Sequence, residues 1–161
     1  MPNHSYRNFK ENLEELLKDK SYSELSVYLG VPSSTLKSWI NGSRCPTLRN
    51  VDKLANRIGC YSSDLLNSKA NIIDKNVHLN DSHLSFIKNL NIIFLKNQCF
   101  STPQKLALLN NVVTDFALQS YLRKQDYKLP TLSKLDVIAD SLGISTYSLL
   151  LEEKNEKRDY T

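Results

Sequence analysis

The sequence lacks every short motif that typically marks a catalytic centre. It contains no HExxH, GxGxxG, GxxxxGK[ST] or GxSxG pattern, so metalloprotease, dinucleotide, P-loop and nucleophile-elbow chemistry have no support. Its three histidines, His4, His78 and His83, are scattered along the chain. Surface histidines explain them better than a metal site does. The sequence therefore predicts no catalytic residue, no metal and no cofactor, and the protein is not expected to be an enzyme.

Paired cysteines and long apolar runs are also missing. Cys45, Cys60 and Cys99 have no CxxC spacing, and any disulfide scheme would leave one of them unpaired. This pattern suits a reducing compartment. No run of about 20 apolar residues could span a bilayer, and no apolar run near the N-terminus has signal-peptide length. We therefore expect a soluble cytoplasmic chain without a membrane partner.

The most informative stretch, residues 21–44, has the pattern of two short helices joined by a tight turn. Ser21 and Glu24 have the spacing of a capping box, which satisfies free N–H groups at a helix start. Leu25 and Leu29 then fall on one helical face. Gly30 follows, and glycine best tolerates the left-handed conformation that ends a helix.

The second of these helices has one apolar face and one polar face. Leu36, Trp39 and Ile40 form its apolar stripe. The opposite side carries short hydroxyls and a lysine, at Ser33, Ser34, Lys37 and Ser38. Such side chains can hydrogen-bond to base edges, although an ordinary helical hairpin with a solvated face would look the same.

Residues 6–66 resemble the lambda-repressor-like helix-turn-helix domain of the XRE (Cro and phage-repressor) family. The residues that carry the resemblance keep the family's order and spacing: Leu25, Leu29-Gly30-Val31, Leu36, Trp39-Ile40-Asn41-Gly42, Arg44, Pro46-Thr47-Leu48, Leu54-Ala55, Ile58-Gly59 and Leu65-Leu66. Ser26 departs from the family, which usually has alanine at that position, but serine is small enough to fit.

The resemblance implies five short helices, with residues 33–40 forming a recognition helix in the major groove of DNA. It implies a base-reading role for Ser33, Ser34, Lys37 and Ser38. Ser21, Tyr22 and Arg44 stand where the family contacts phosphate. Arg49 and Lys53 join this predicted phosphate surface through the charge pattern of the same region.

Basic residues are concentrated beside the predicted recognition helix. Residues 32–57 contain five of them against the single acid Asp52, so this window alone carries the +4 net charge of the whole chain. A solvated helix face could explain the cluster, but it is also the expected footprint of a phosphate-contacting surface.

An internal repeat predicts a second copy of the same domain. Pro46-Thr47-Leu48 and Pro130-Thr131-Leu132 are 84 residues apart, as are Leu65-Leu66 and Leu149-Leu150. The predicted organisation is a helix-turn-helix domain (1–68), a connector (69–81), a degenerate helix-turn-helix domain (82–151) and a charged tail (152–161). The fold class is all-α. Helices are predicted near 8–18, 22–29, 33–40, 48–57, 62–66, 83–97, 102–110, 114–124, 132–141 and 145–152.

The second copy has lost the DNA-reading pattern. Asp115 and Phe116 stand at the positions of Ser33 and Ser34, and the surrounding window 114–141 has no net charge. Its first helix is apolar beyond one stripe, which indicates two packing partners. The second partner could be the first domain, a second chain or a foreign protein. If it is another chain, the predicted interface residues are Phe86, Ile87, Ile92 and Phe116.

These observations predict a sequence-specific, double-stranded DNA-binding transcription regulator, a bacterial or phage repressor that binds a palindromic operator as a homodimer. The alternative is a protein-interaction module or inhibitor from a phage or mobile element. It would bind a protein partner through residues 82–151 and use the first domain for autoregulation.

Overall fold

The computed structural model describes residues 2–68, 74–77, 79–123 and 129–151, and these residues form an all-α fold with no strand. The predicted all-α class is confirmed. The helices are α1 (Ser5–Leu17), α2 (Tyr22–Leu29), α3 (Ser33–Asn41), α4 (Leu48–Ile58), α5 (Ser62–Leu65), α6 (Ser82–Lys96), α7 (Thr102–Leu108), α8 (Asp115–Tyr121), α9 (Leu132–Leu142) and α10 (Thr146–Leu150). The predicted tail (152–161), much of the connector and the segment 124–128 lie outside the described residues.

Helices α1–α5 form the first unit around a closely packed apolar centre. Phe9 of α1 and Trp39 of α3 meet edge to face, with ring centroids 5.8 Å apart. Leu25, Leu36 and Leu54 complete the centre from α2, α3 and α4, each fully buried. Burial of this apolar surface is the main stabilising term for such short helices.

Helices α6–α10 form the second unit, in which α6 packs against α10 of its own unit and against α4 of the first. This double contact explains why α6 is apolar on more than one side. Phe86, Leu90 and Phe94 are buried along it. One continuous cluster of buried side chains runs through both units.

Two helix ends differ from the sequence expectation. The predicted helix 102–110 ends at Leu108, because Asn110 and Asn111 adopt left-handed φ values of 52° and 54°. Asparagine tolerates this conformation better than most residues, so the two asparagines make the turn that a glycine makes after α2. Helix α1 begins at Ser5, and the residue before it, His4, makes no side-chain capping bond.

The two units meet through corresponding elements. Helix α1 packs on α9, and α6 packs on α4. Between these contacts, Thr47 and Thr131 form an isolated antiparallel bridge, and the Leu132 N–H donates to the Pro46 carbonyl at 3.1 Å. In the part of the chain that the structure describes, no helix combines the length and apolarity needed to cross a membrane.

Candidate nucleic-acid interface

Local interactions fix the angle between α2 and α3. Ser21 and Glu24 form the predicted capping box at the start of α2. Gly30 ends α2 at a left-handed φ of 67°. The Ser26 hydroxyl donates to the Val31 carbonyl at 2.6 Å, inside the turn. The serine that departs from the family pattern therefore tethers the turn that it precedes.

The apolar face of α3 anchors the helix, and its polar face remains outside. Leu36 and Trp39 are buried, whereas Ser34 and Lys37 are exposed. Because these pairs alternate along α3, the helix presents a polar strip away from the core. A strip of this kind on a well-anchored helix is available to a groove.

The four predicted base-reading residues are not equally accessible. Ser33 and Ser38 are half-buried. The Ser38 hydroxyl donates to the backbone of its own helix, with the Ser34 carbonyl at 2.9 Å and the Thr35 carbonyl at 3.1 Å. The Ser33 hydroxyl lies 3.5 Å from the Tyr22 carbonyl. Of the four, Ser34 and Lys37 therefore offer the freest polar groups.

Lys37 and Tyr22 lie next to each other although they belong to different helices. The Lys37 Nζ is 5.3 Å from the centre of the Tyr22 ring, a cation–π distance. A predicted base-reading residue and a predicted phosphate-contacting residue are thus adjacent. The Ser21 hydroxyl, also predicted to contact phosphate, already accepts the Glu24 N–H of its capping box.

Tyr6 holds the loop that follows α3, a role that the sequence interpretation missed. Its hydroxyl lies within hydrogen-bond distance of two carbonyl oxygens, at 2.8 Å from that of Trp39 and 2.7 Å from that of Arg44. Partial burial, followed by the nearby Cys45 thiol, raises the pKa of Tyr6, which keeps the hydroxyl protonated as a donor. Arg44 itself is exposed, so Tyr6 fixes its backbone and leaves its guanidinium accessible.

The remaining basic candidates lie on α4. Arg49 and Lys53 are exposed and four residues apart, so they share one face of the helix. The acid of this window, Asp52, points elsewhere: it accepts hydrogen bonds from Ser62 and Ser82. Burial raises the pKa of Asp52, against the lowering effect of these bonds. The outer surface of α4 is therefore more basic than the sequence count suggests.

The predicted partner interface needs a correction. Phe86 and Ile87 are 0% and 4% exposed, because α6 lies between α10 and α4. These two residues cannot form a surface for another molecule in this structure. Ile92 and Phe116 are 38% and 74% exposed and remain candidates.

The exposed side of α8 differs in chemistry from that of α3. Asp115 lies in the first turn of α8, whereas the first turn of α3 has no acid. The Gln119 Nε2 donates to Asp115 at 2.6 Å, so these two polar groups engage each other. Phe116 stands beside them, exposed. An acid at this helix start disfavours an approaching phosphate.

A family model described as helix-turn-helix matches residues 11–66. This stretch contains the capping box, the Gly30 turn, α3 and the basic side of α4. The N-terminal part of the chain therefore contains a helix-turn-helix domain of the XRE type. Comparisons with curated proteins and with solved structures found no match.

Proposed function

We propose that this chain is a sequence-specific, double-stranded DNA-binding transcription regulator that reads the major groove with α3. The observation that carries the proposal is the exposed pair Ser34 and Lys37, on a helix anchored by Leu36 and Trp39 within a helix-turn-helix domain. Lysine is suited to guanine edges, and a serine hydroxyl can pair with several bases.

The backbone contacts in this proposal surround α3. Tyr22 lies beside Lys37, Arg44 follows α3 in a loop held by Tyr6, and Arg49 and Lys53 extend the basic surface along α4. Contacts of this kind position a protein on the duplex and make its affinity depend on salt. The proposal assigns these residues to phosphate and assigns no catalytic role to the chain.

We further propose that the second unit is a diverged copy of the first. The carboxyl-terminal halves match at an offset of 84 residues, and the first helices match at an offset of 77. At that second offset, Asn3, Ser5, Phe9, Asn12 and Leu13 correspond to identical residues of α6. The hydrogen bonds also correspond: the Asn12 amide donates to the carbonyls of Leu65 and Asn67, and the Asn89 amide donates to those of Leu149 and Leu151.

The regulator is proposed to be a cytoplasmic repressor of a bacterium or phage, which acts by covering its operator. Binding to a palindrome by a homodimer would require a surface other than Phe86 and Ile87. Ile92 and Phe116 are the exposed members of the predicted set and could supply such a contact.

A second candidate function is a protein-interaction module or inhibitor. The observation that favours it is the apolar exposure in the second unit, where Leu95, Phe100 and Phe116 are each at least 66% exposed. Such a protein would bind its partner through residues 82–151 and use α3 only to control its own synthesis.

Selection of bound duplexes from a random pool tests the leading proposal. We expect one enriched sequence motif, with an affinity for it that falls steeply as salt rises. The Lys37→Ala protein should lose the motif in the same selection, while a Lys88→Ala control on α6 should recover it. Random sequences recovered by the native chain at every salt concentration would contradict sequence-specific binding and favour the protein-interaction module.

A further inference from the structure

The hydrogen bonds between the two units occur in matched pairs. Asp52 of the first unit accepts from the backbone N–H and hydroxyl of Ser82, the first residue of α6. Asp136 of the second unit accepts from the backbone N–H and hydroxyl of Ser5, the first residue of α1. The two aspartates are 84 residues apart, and the two serines are 77 apart. These are the two offsets of the sequence repeat.

A second pair of contacts follows the same rule. Asn80, which precedes α6, bonds to three residues of the first unit: Asn56, Cys60 and Ser62. Asn3, which precedes α1, bonds to the three corresponding residues of the second unit: Asp140, Ile144 and Thr146. The same backbone and side-chain atoms serve in both places, with Asp140 replacing Asn56.

Reciprocal contacts between equivalent residues define an isologous interface, the arrangement by which two identical protomers pair. Here both sides of that interface belong to one chain. Three buried polar residues contribute to it: Ser82, Ser5 and Asp136, none more than 8% exposed. The interface is therefore part of the folded core.

We propose that the second unit takes the place of a second protomer, so that one chain binds one DNA site and reads a single half-site through α3. This inference rests on the proposed DNA-binding function. The counterpart of α3 is α8, where Asp115, Phe116 and Gln119 replace Ser33, Ser34 and Lys37. With an acid at its start and its amide bonded to that acid, α8 adds no base contact, and the bound sequence is asymmetric.

The pairing of the units can be tested without DNA, because Trp39 is the single tryptophan of the chain and lies in the first unit. The Asp136→Ala substitution lies in the second unit. It should lower the urea midpoint reported by Trp39 fluorescence as much as that reported by helical circular dichroism. The exposed Asp115→Ala variant in the same unit is the control and should leave both midpoints in place. An unmoved Trp39 midpoint in Asp136→Ala would overturn the pairing.

Sedimentation of the full chain, alone and with the selected duplex, tests the stoichiometry. We expect one chain at all concentrations without DNA, and one chain per duplex with an asymmetric footprint. Two chains per duplex on an inverted repeat would overturn the inference in favour of a homodimer, as would self-association of the free chain. Failure to bind any specific duplex would instead contradict the proposed function, while the Trp39 measurement would still decide whether the units are paired.

Discussion

Thr47 and Thr131 pair with each other across the two units, and they are the same residue of the repeat. Each also stands immediately before a helix, α4 or α9. A residue that contacts its own equivalent must lie next to the axis that relates the two halves. This bridge therefore marks where the axis passes, between the two Pro-Thr-Leu segments.

Replacing Ser34 or Lys37 with alanine should weaken specific binding and spare non-specific binding. Each variant loses a base contact, which we expect to cost about 1–3 kcal/mol. Titration of the selected duplex and of a random duplex, side by side, measures the difference. Equal losses on the two duplexes would remove these residues from base reading.

Arg44→Ala should reduce affinity for every duplex, because a phosphate contact carries little sequence information. Loss of one phosphate contact should lower the slope of log affinity against log salt by about 0.9. The measurement is a set of titrations across salt concentrations. If the slope stays as it was, Arg44 does not contact the DNA backbone.

Tyr6→Phe should act on the same loop without removing any charge. It deletes the hydroxyl that reaches the Trp39 and Arg44 carbonyls, so the loop is released and affinity should fall on all duplexes. A stability loss of about 1 kcal/mol is expected from the lost hydrogen bond. The matched control is His83→Phe, which removes the corresponding ring nitrogen bonded to the Tyr121 carbonyl in the second unit. That control should change stability and not DNA affinity; the reverse outcome would contradict the role of Tyr6.

Trp39→Ala should destabilise the fold rather than change its specificity. Trp39 is 3% exposed and packs edge to face on Phe9, and truncation of a buried aromatic costs roughly 3–5 kcal/mol. That is a large part of the stability of a small domain. Thermal unfolding followed by circular dichroism tests this. Native helicity with an unchanged melting temperature would show that the side chain is not structural.

Asp52→Asn should change how stability depends on pH. Burial raises the pKa of Asp52 in the folded chain above its model value of 3.8, so the folded state binds a proton more tightly than the unfolded state. The contribution of this group is fully present below pH 3.8 and is lost as the pH rises through the raised pKa. The native chain should therefore lose stability relative to the Asn variant as the pH increases through that window.

Urea unfolding of both proteins between about pH 3 and pH 7 measures this difference. The Ser82→Ala variant provides a second check. Its hydroxyl favours the ionised carboxylate, and removing it should enlarge the loss. A constant difference between native and Asn proteins across the pH range would show that Asp52 titrates alike in the folded and unfolded chains.

Local signals made much of the first unit predictable from sequence. The capping box at Ser21, the Gly30 turn and the stripe of Leu36 and Trp39 depend on residues close in the chain, and the structure has each of them. The ten predicted helices are present among the described residues, with ends shifted by a few residues. Cap geometry sets those ends, and a turn such as the one at Asn110 is only weakly encoded.

Long-range packing is what the sequence interpretation missed. It assigned Phe86 and Ile87 to a partner surface, because spacing alone cannot say which side of an over-apolar helix faces its own chain. The hydroxyls of Ser33 and Ser38 similarly turn towards backbone carbonyls that only the folded turn brings near. The match of Asn3 and Ser5 with Asn80 and Ser82 was legible, but nothing in it indicated that each pair binds the opposite unit.

The contact between the two units, sealed at Ser5–Asp136 and Ser82–Asp52, has a consequence for dose response. A homodimer must first assemble, so its active fraction rises with the square of subunit concentration when it is dilute, and the response has a threshold. Two units joined in one chain meet at an effective concentration that does not change with expression level. Occupancy of a single target should then rise hyperbolically from the first molecules made, without a lag and without a sharp switch.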